Sequence, residues 1–218
     1  AYCGSTLRRT AVDPLKLNEA LRELLRYSLV QRDADSHTLT IHRLVQAVLK
    51  DKMESQKRRQ WAERVVRAVS HVFPEVEVAT WPFCQRCLPH ALECAAHIKQ
   101  WDMSFPEAAH LLNQAGYYLE DRAQYVEARP LYQSALEMRE RMLGPDHPDT
   151  ALSLNNLASL YECQGKYEEA ESLYRRALQI RERVLGSDHP DRAQSLNNLA
   201  ELYRVQGRYE EAEPLYKQ

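Results

Sequence analysis

The second half of the sequence repeats itself with a period of 42 residues. Residues 149–176 and 191–218 are identical at 19 of 28 aligned positions, and a fainter copy lies 42 residues earlier. Within each copy, apolar residues recur at helical spacing, first before a glycine and again after it. A fixed period of this size is typical of stacked structural units. Each copy is therefore predicted to be a hairpin of two helices that packs against its neighbours.

Residues with special backbone behaviour mark the ends of these helices. Gly165 and Gly207 stand where the first helix of a hairpin must stop and the chain must reverse, a position that favours positive φ. The first copy has Ala123 at this position, and we expect that hairpin to be looser. Pro148 and Pro190 cannot continue a preceding helix, so they separate one hairpin from the next.

The repeat pattern resembles the tetratricopeptide repeat, and the linking sequence Leu-Gly-x-Asp-His-Pro-Asp resembles the kinesin-light-chain type. The resemblance implies a mainly all-α fold, an α-solenoid of tetratricopeptide repeats at residues 106–218. Its hairpins are expected at 106–148, 149–190 and 191–218, the last one truncated. The second helices continue through 139–143 and 181–185, where alternating charges predict solvent-exposed last turns.

The resemblance also implies a concave groove lined by the first helices, where the family uses an Asn two residues before a small Ala to hold a peptide backbone. That residue is Asn156 or Asn198 here, with Gln114 in the first copy. One amide both donates and accepts hydrogen bonds. Alternatively, these amides link neighbouring helices. The groove predicted by the resemblance and by helical spacing comprises His110, Gln114, Tyr117, Asn155, Asn156, Ser159, Gln194, Asn197, Asn198 and Glu201.

The ligand predicted for this groove is a protein or peptide of basic or neutral character. Glu120, Glu162 and Glu201 lie beside the amides, and carboxylates favour a ligand of opposite or no charge. Residues 106–218 carry 13 Lys or Arg against 19 Asp or Glu, whereas residues 1–60 carry 12 against 7. The repeats are thus acidic and the start of the chain is basic.

Residues 1–55 read as a helix, a strand at 28–30, a turn at 33–36, a strand at 38–41 and a helix at 42–53. Segments 26–30 and 39–48 resemble the winged-helix domain of NB-ARC proteins in the STAND ATPase class, particularly bacterial members with tetratricopeptide arms. In that family a His in a Met-His-Asp signature reaches the phosphate of ADP. His42 matches it, whereas Arg43 departs from Asp. Residues 1–55 are therefore expected to be a partial winged helix with a small β-hairpin.

A phosphate-loop motif is missing from the 218 residues, which contain six glycines. The chain alone is accordingly expected to be no enzyme and to hold no cofactor. If the resemblance holds, it is part of a larger protein, possessing an upstream nucleotide-binding domain that uses ATP or ADP. In that protein His42 would sense the nucleotide.

Residues 56–105 are predicted to form a helical adaptor, with one helix ending near 73 and another interrupted or kinked at Pro89. Cys84 and Cys87 are spaced like zinc ligands. However, positions 84, 87, 91, 94 and 98 follow one helix face, and a single helix cannot surround a tetrahedral metal. Core packing is the favoured interpretation, with a metal site or redox pair as alternatives.

The function favoured by the sequence is that of a sensor and adaptor in a nucleotide-dependent signalling switch. A stand-alone tetratricopeptide scaffold and a winged-helix transcriptional regulator are alternatives. Nucleic acid is a less favoured partner, because the first helix interleaves acidic and basic residues without a basic stripe. No membrane span or signal peptide is predicted. Five cysteines at irregular spacing favour the cytoplasm.

Overall fold

The computed structural model of the protein describes residues 13–26, 29–33 and 38–217. In these ranges it contains ten α-helices, a short 3₁₀ turn and a two-stranded antiparallel sheet. This result confirms the predicted helical fold class. The chain divides into two compact units between Ala68 and Val69, and each unit is described by itself below. Among the described residues, none of the helices combines the length and the apolar character needed to cross a bilayer.

The first unit begins with α1 (Pro14–Arg26), β1 (Val30–Asp33), β2 (Thr38–Ile41) and α2 (Arg43–Lys52). Asp13 caps α1, because its Oδ1 accepts from the backbone N–H of Leu15 at 3.1 Å and of Lys16 at 3.3 Å. The order helix, strand, strand, helix is the predicted one. That it belongs to a winged helix stays a prediction.

The ribbon differs in detail from the prediction. Asp33, which the sequence placed in the turn, pairs with Thr38 and extends the first strand. Among the described residues the first strand runs over Val30–Asp33, and each of its residues has an antiparallel partner on β2. Residues 27–28 and 34–37, including most of the predicted turn, lie outside the described residues.

The helix α3 (Ser55–Val72) begins where the sequence placed the start of the helical adaptor, and the boundary between the two units falls inside it. After a 3₁₀ turn (Val78–Thr80), α4 (Trp81–Gln100) follows. The three predicted hairpins come next. They are α5 (Pro106–Asp121) with α6 (Tyr125–Leu143), α7 (Pro148–Cys163) with α8 (Tyr167–Leu185), and α9 (Pro190–Val205) with α10 (Tyr209–Tyr216).

The predicted interruption at Pro89 is wrong, because α4 continues through it as one helix. Proline cannot donate to the carbonyl four residues earlier, which here belongs to Gln85. Gln85 is exposed, so that carbonyl can bond to water instead. The cost of the missing bond is thereby reduced.

Each first helix ends in the same cap, in which the chain takes one residue with positive φ. Gly165 has φ 72° and Gly207 has φ 75°. After Gly165, the N–H of Lys166 donates a hydrogen bond to the carbonyl of Tyr161 at 2.9 Å. This bond satisfies one of the carbonyl groups at the end of the helix. Ala123 adopts the same conformation with φ 58°. Its Cβ makes this turn strained. That the first hairpin is looser than the others stays a prediction.

Histidine and proline start the first helices of the second and third hairpins. His147 Nδ1 accepts from the N–H of Asp149 at 3.1 Å, and His189 Nδ1 accepts from the N–H of Asp191 at 3.2 Å. The residue after each histidine is a proline. Proline has no backbone N–H, and none is needed at the first position of a helix. The aspartates place negative charge at the positive end of the helix dipole. The His-Pro-Asp link therefore defines where each hairpin begins.

Small residues let the two helices of a hairpin approach each other. Ala158 and Ala170 are fully buried beside Tyr174, as the sequence predicts. Gly116 occupies the position of Ala158 in the first hairpin, and a Cβ there would lie 3.0 Å from the Tyr132 ring. Burial of these apolar faces between hairpins is the main source of stability in such a stack.

Candidate functional site in the first-helix groove

The groove is defined here as the surface along α5, α7 and α9, the first helices of the three hairpins. It has two seams, one between α5 and α7 and one between α7 and α9, which we call the first seam and the second seam. Equivalent positions in the two seams are 42 residues apart, so each position in one has a counterpart in the other. The two seams can therefore be compared residue by residue.

Hydrogen bonds close the first seam. Asn156 Nδ2 donates to Asn113 Oδ1 at 2.9 Å, and Ser159 Oγ donates to Glu120 Oε1 at 2.6 Å. The same carboxylate also accepts from Tyr132 of α6 at 2.7 Å. Glu120 thus joins three helices. Because the polar groups at this seam bond to one another, few of them remain for a ligand.

The second seam lacks both of these bonds. Asn155 and Asn198 are the counterparts of Asn113 and Asn156, yet the buried Oδ1 of Asn155 has no hydrogen-bond partner within the described residues. Glu201 replaces the serine of the first seam and therefore stands opposite Glu162. Asn198 forms no hydrogen bond with the described chain, and it is half-buried. The second seam consequently offers one unpaired amide beside two carboxylates. Of these carboxylates, Glu162 accepts from Tyr174, and Glu201 accepts from Arg204 and Tyr216.

The predicted groove residues divide by accessibility. Gln114 and Asn155 are buried, with 9% and 5% of their surface exposed. Asn156, Ser159, Asn198 and Glu201 are half-buried, and His110, Tyr117, Gln194 and Asn197 are exposed.

Gln114 does not face solvent because its Nε2 donates to Glu75 Oε2 at 3.3 Å. Of the three amides singled out by the sequence, Gln114 and Asn156 therefore bond to the protein's own residues. This is the role that the alternative interpretation gives them. Asn198 remains the one of the three without an internal partner in the described chain, so the accessible part of the groove centres on α9.

Burial and electrostatic repulsion change the pKa values of the carboxylates in the groove. Burial raises the pKa of Glu120, against the hydrogen bonds from Ser159 and Tyr132. Burial also raises the pKa of Glu162, and the nearby carboxylates of Glu201 and Glu120 raise it further. The Arg204 guanidinium, by contrast, lowers the pKa of Glu201 through hydrogen bonds. A cation placed between Glu162 and Glu201 would relieve the repulsion between them.

Two buried arginines were missed by the sequence reasoning, which placed residues 139–143 and 181–185 in solvent. Arg139 is 8% exposed and Arg181 is 1% exposed. Arg139 donates to Ser153 Oγ at 2.8 Å and to the Asp149 carbonyl at 3.0 Å. Their recurrence 42 residues apart was the available signal. That signal is weak by itself, because the exposed Arg141 and Arg183 recur at the same spacing.

The arginine contacts tie each second helix to the start of the next hairpin. Arg181 repeats them with Ser195 Oγ and the Asp191 carbonyl, both at 2.8 Å. Burial lowers the pKa of both arginines. Their hydrogen-bond acceptors offset part of the cost of burying the charge. They are therefore structural residues of the stack.

His42 lies in the first unit, where it caps α2. Its Nδ1 accepts from the N–H of Leu44 at 3.3 Å, as His147 and His189 do at their own helices. This contact gives His42 a structural role in the described chain. The nucleotide-sensing role implied by the resemblance stays a prediction.

The cysteines of α4 face the interior of the second unit. Cys84 and Cys94 are buried on one helix face with Ala91 and Ile98, as the core-packing interpretation expects. Burial raises the pKa of Cys94 to about 11, which keeps its thiol protonated at neutral pH. Among the described residues, no cluster of three or more His, Cys, Asp or Glu side chains could hold a metal ion.

Stacked helical hairpins with recurring seams define a class of protein, the helical-repeat scaffold. Residues 107–183 and 154–218 match the family model described as tetratricopeptide repeat. Since these matches together span more than half of the chain, the protein belongs to the tetratricopeptide repeat family. Residues 6–58 match a second model, described as a domain of unknown function (DUF7779).

One curated relative is a nucleotide-binding leucine-rich repeat (NLR)-like protein of the strain UAMH 11265 / GT02V1 / F of Hyaloscypha variabilis. It is 36% identical over 138 residues, which are 61% of this chain. The chain spans 13% of the relative's length. Statements about the whole of that protein therefore do not transfer directly to this chain.

Solved structures share the fold at low identity. BtubC (BKLC) from P. vanneervenii has a TM-score of 0.62 at 17% identity, covering 96% of this chain and 82% of that one. Kinesin-light-chain-like repeats from P. anserina have a TM-score of 0.53 at 22% sequence identity, covering 80% of each chain. A Rap protein complexed with Competence and Sporulation Factor has a TM-score of 0.52 at 16% sequence identity, covering 79% of this chain and 44% of that one. These likenesses confirm a kinesin-light-chain-like repeat fold.

Proposed function

We propose that the repeats are a recognition arm that binds an extended peptide segment of basic or neutral character at the second seam. The observation that carries the proposal is the contrast between the seams. Asn156 and Ser159 find partners across the first seam, whereas Asn198 and Glu201 at the same positions of the second do not repeat these bonds. The side chain of Asn198 has no hydrogen-bond partner in the described chain and is available to a ligand, whereas Glu201 already accepts from Arg204 and Tyr216.

The amide of Asn198 suits a peptide backbone of any sequence. Its Nδ2 donates to a carbonyl while its Oδ1 accepts from an N–H, so one side chain can match both groups of one peptide unit. Gln194 and Asn197 are exposed on the same helix and add further amides beside it. Backbone recognition by amides gives affinity without strict sequence preference.

The carboxylates then select the charge of the ligand. An arginine or lysine of the ligand would lie between Glu162 and Glu201, which already repel each other. Charge-assisted hydrogen bonds in such a half-buried site are stronger than neutral ones. An acidic ligand would add a third negative charge and is disfavoured.

A peptide-binding assay on the complete chain tests this proposal. The probe is a set of fluorescein-labelled random decapeptides with one position fixed as Arg, Gln or Glu. We expect the Arg pool to bind most tightly, and Asn198→Ala to weaken its binding about tenfold by removing hydrogen bonds in a half-buried site. Asn156→Ala is the matched control, and it should leave binding per folded molecule unchanged. Equal binding of the three pools, or equal effects of the two substitutions, would refute the second seam as the site.

The pH dependence of binding is a second test. Since the pKa values of Glu120 and Glu162 are raised, these carboxyls take up protons at a higher pH than an ordinary glutamate. Affinity for the Arg pool should therefore be highest near neutral pH and fall as the pH is lowered through these raised values. Glu162→Gln should flatten the profile. A profile that is flat in the unmodified protein would contradict the electrostatic part of the proposal.

We further propose that the arm reports to a nucleotide-dependent signalling switch in the cytoplasm. The similarity of 138 residues to a protein named as nucleotide-binding and NLR-like supports this context. The chain has no phosphate loop, and the contact of His42 in this structure is a helix cap, so ATP or ADP would bind to another domain. No step of nucleotide chemistry is assigned to these residues.

The full-length protein decides between a switch and a scaffold. If the arm belongs to a switch, the selected Arg peptide should change the rate of ADP release, and His42→Ala should increase that rate. Peptide binding without any effect on nucleotide would favour the stand-alone scaffold.

A further inference from the structure

A cavity lies between the helices α4 and α6 of the second unit. It measures about 520 Å³, within the range of ligand sites. We call it the α4–α6 groove. Its floor is apolar and consists of buried side chains from both helices, from α5 and from the segment between α4 and α5. These are Ile98, Met103, Leu112, Leu131 and Met138.

The repeat explains why this groove is open. Between α6 and α8, Arg176 donates to Glu140 at 2.7 Å and bridges the two helices. The residue 42 positions before Arg176 is Ser134, which lines the α4–α6 groove. Its short side chain cannot make such a bridge, and Ile98 stands 42 positions before Glu140. The ion pair that crosses one gap is therefore missing from the other.

One end of the groove is nevertheless closed. Arg141 Nη1 donates to Asp102 Oδ1 at 2.9 Å, in the same way that Arg183 pairs with Asp146 one repeat later. Asp102 has a φ of 43°, a left-handed conformation that aspartate tolerates better than most residues. The groove thus has a fixed end and an apolar floor.

Opposite charges stand on the two walls without partners. Lys99 on the α4 side and Glu137 on the α6 side both line the groove. Neither side chain forms a hydrogen bond or an ion pair in the part of the chain that the structure describes. A ligand that carries an acidic group on one edge and a basic group on the other would complement both.

We infer that the α4–α6 groove binds a short peptide segment of a partner protein, distinct from the ligand of the first-helix groove. An aliphatic side chain of the segment lies over the apolar floor beside Ser134. An acidic neighbour faces Lys99, and a basic neighbour faces Glu137. The small walls formed by Ala95, Ala96 and Ser134 admit the segment's backbone.

Selection from a phage-displayed library of random dodecapeptides on the complete chain tests the inference. Counter-selection uses Ser134→Trp, which fills the groove from an exposed position. Enriched peptides should carry an aliphatic residue flanked by an acid and a base, and Ser134→Trp should weaken their binding at least about tenfold by occlusion. Ser172→Trp, an equally exposed serine on α8, is the matched control and should bind normally. Selected peptides that bind Ser134→Trp as well as the unmodified protein would overturn the inference.

A charge-swap experiment then tests the two walls. Lys99→Glu combined with Glu137→Lys should weaken the binding of the selected peptide about threefold to tenfold, in line with the size of exposed charge effects. A peptide with its acid and base exchanged should recover the affinity on this double variant. Asn198→Ala should leave the binding unchanged, which separates this site from the second seam. If the double variant loses affinity and the exchanged peptide does not recover it, the assigned orientation is overturned. If Asn198→Ala also loses affinity for the selected peptide, the inference of a separate site is overturned.

Discussion

The two seams of the first-helix groove are built from nearly the same sequence but differ in how their polar groups are paired. The first seam pairs Asn156 with Asn113 and Ser159 with Glu120. In the second seam Asn155 has an unpartnered oxygen, and Glu201 stands where a serine would donate. One changed residue thus turns a hydrogen-bonded junction into one that carries two carboxylates.

The comparison shows how a repeat protein can separate stability from recognition. A seam that satisfies its own polar groups holds hairpins together, whereas one that leaves them unpaired gives up some stability and keeps them for a ligand. The apolar packing and the buried arginines are common to both seams. Four predictions follow the comparison, from its shared features to its differences.

The largest effect is expected at the shared arginines. Arg181→Ala should lower the free energy of unfolding by about 3 kcal/mol, since it removes a buried side chain and leaves the Ser195 hydroxyl without its donor. Arg139→Ala should cost a similar amount, because its contacts with Ser153 are equivalent. Urea unfolding measures both. A cost below 1 kcal/mol at either position, by the same scale of buried interactions, would show that the arginine there is solvated.

Asn156 and Asn198 should differ although they are repeat equivalents. Asn156→Ala should cost about 1 kcal/mol, because Asn113 loses its partner. Asn198→Ala should change the free energy of unfolding by less than about 0.5 kcal/mol, as at other sites without internal bonds. The same unfolding experiment compares them. Equal costs would mean that Asn198 also holds two helices together.

Glu201→Ser should make the second seam resemble the first. The new hydroxyl can donate to Glu162, and the repulsion between two carboxylates disappears, so the protein should gain about 0.5–1 kcal/mol. The lost pair with Arg204 is exposed and contributes little. Binding of the Arg peptide pool should weaken. The reverse change, Ser159→Glu, should destabilise the protein by placing a carboxylate against Glu120.

Ala123→Gly should stabilise the first hairpin slightly. Glycine relieves the positive φ of this position, and after its greater freedom in the unfolded chain is subtracted, about 0.5 kcal/mol should remain. Gly165→Ala is the matched reverse change and should cost about 1 kcal/mol. Thermal melts of the two variants should move in opposite directions. Shifts in the same direction would contradict the strain assigned to Ala123.

Much of the fold could be predicted because local signals and the repeat agree. Gly165 and Gly207 mark helix ends by backbone conformation, and Pro148 and Pro190 mark helix starts. These properties depend on a few neighbouring residues. The predicted interruption at Pro89 is wrong, because whether a helix continues through a proline depends on the surroundings of one carbonyl group. A kink at Pro89 stays a prediction.

The polar part of the site was less predictable. The sequence identified Gln114, Asn156 and Asn198 as equivalents, but their different partners depend on residues far away in the chain, such as Glu75 for Gln114. Arg139 was assigned to solvent, since a charged side chain is usually exposed and its acceptors lie on the next hairpin. Side-chain pairing across seams needs three-dimensional distances that periodicity does not contain.

The serine at position 159 has a consequence for how the hairpins assemble during folding. Because hairpins two and three are nearly identical, the third could compete with the second for the surface of the first, and such misassembly is a known failure of repeat proteins. In that wrong order Glu201 would face Glu120, with a carboxylate in place of the hydroxyl that bonds there in the native order. Ser159 therefore encodes the order of the hairpins, which the repeated apolar residues cannot specify.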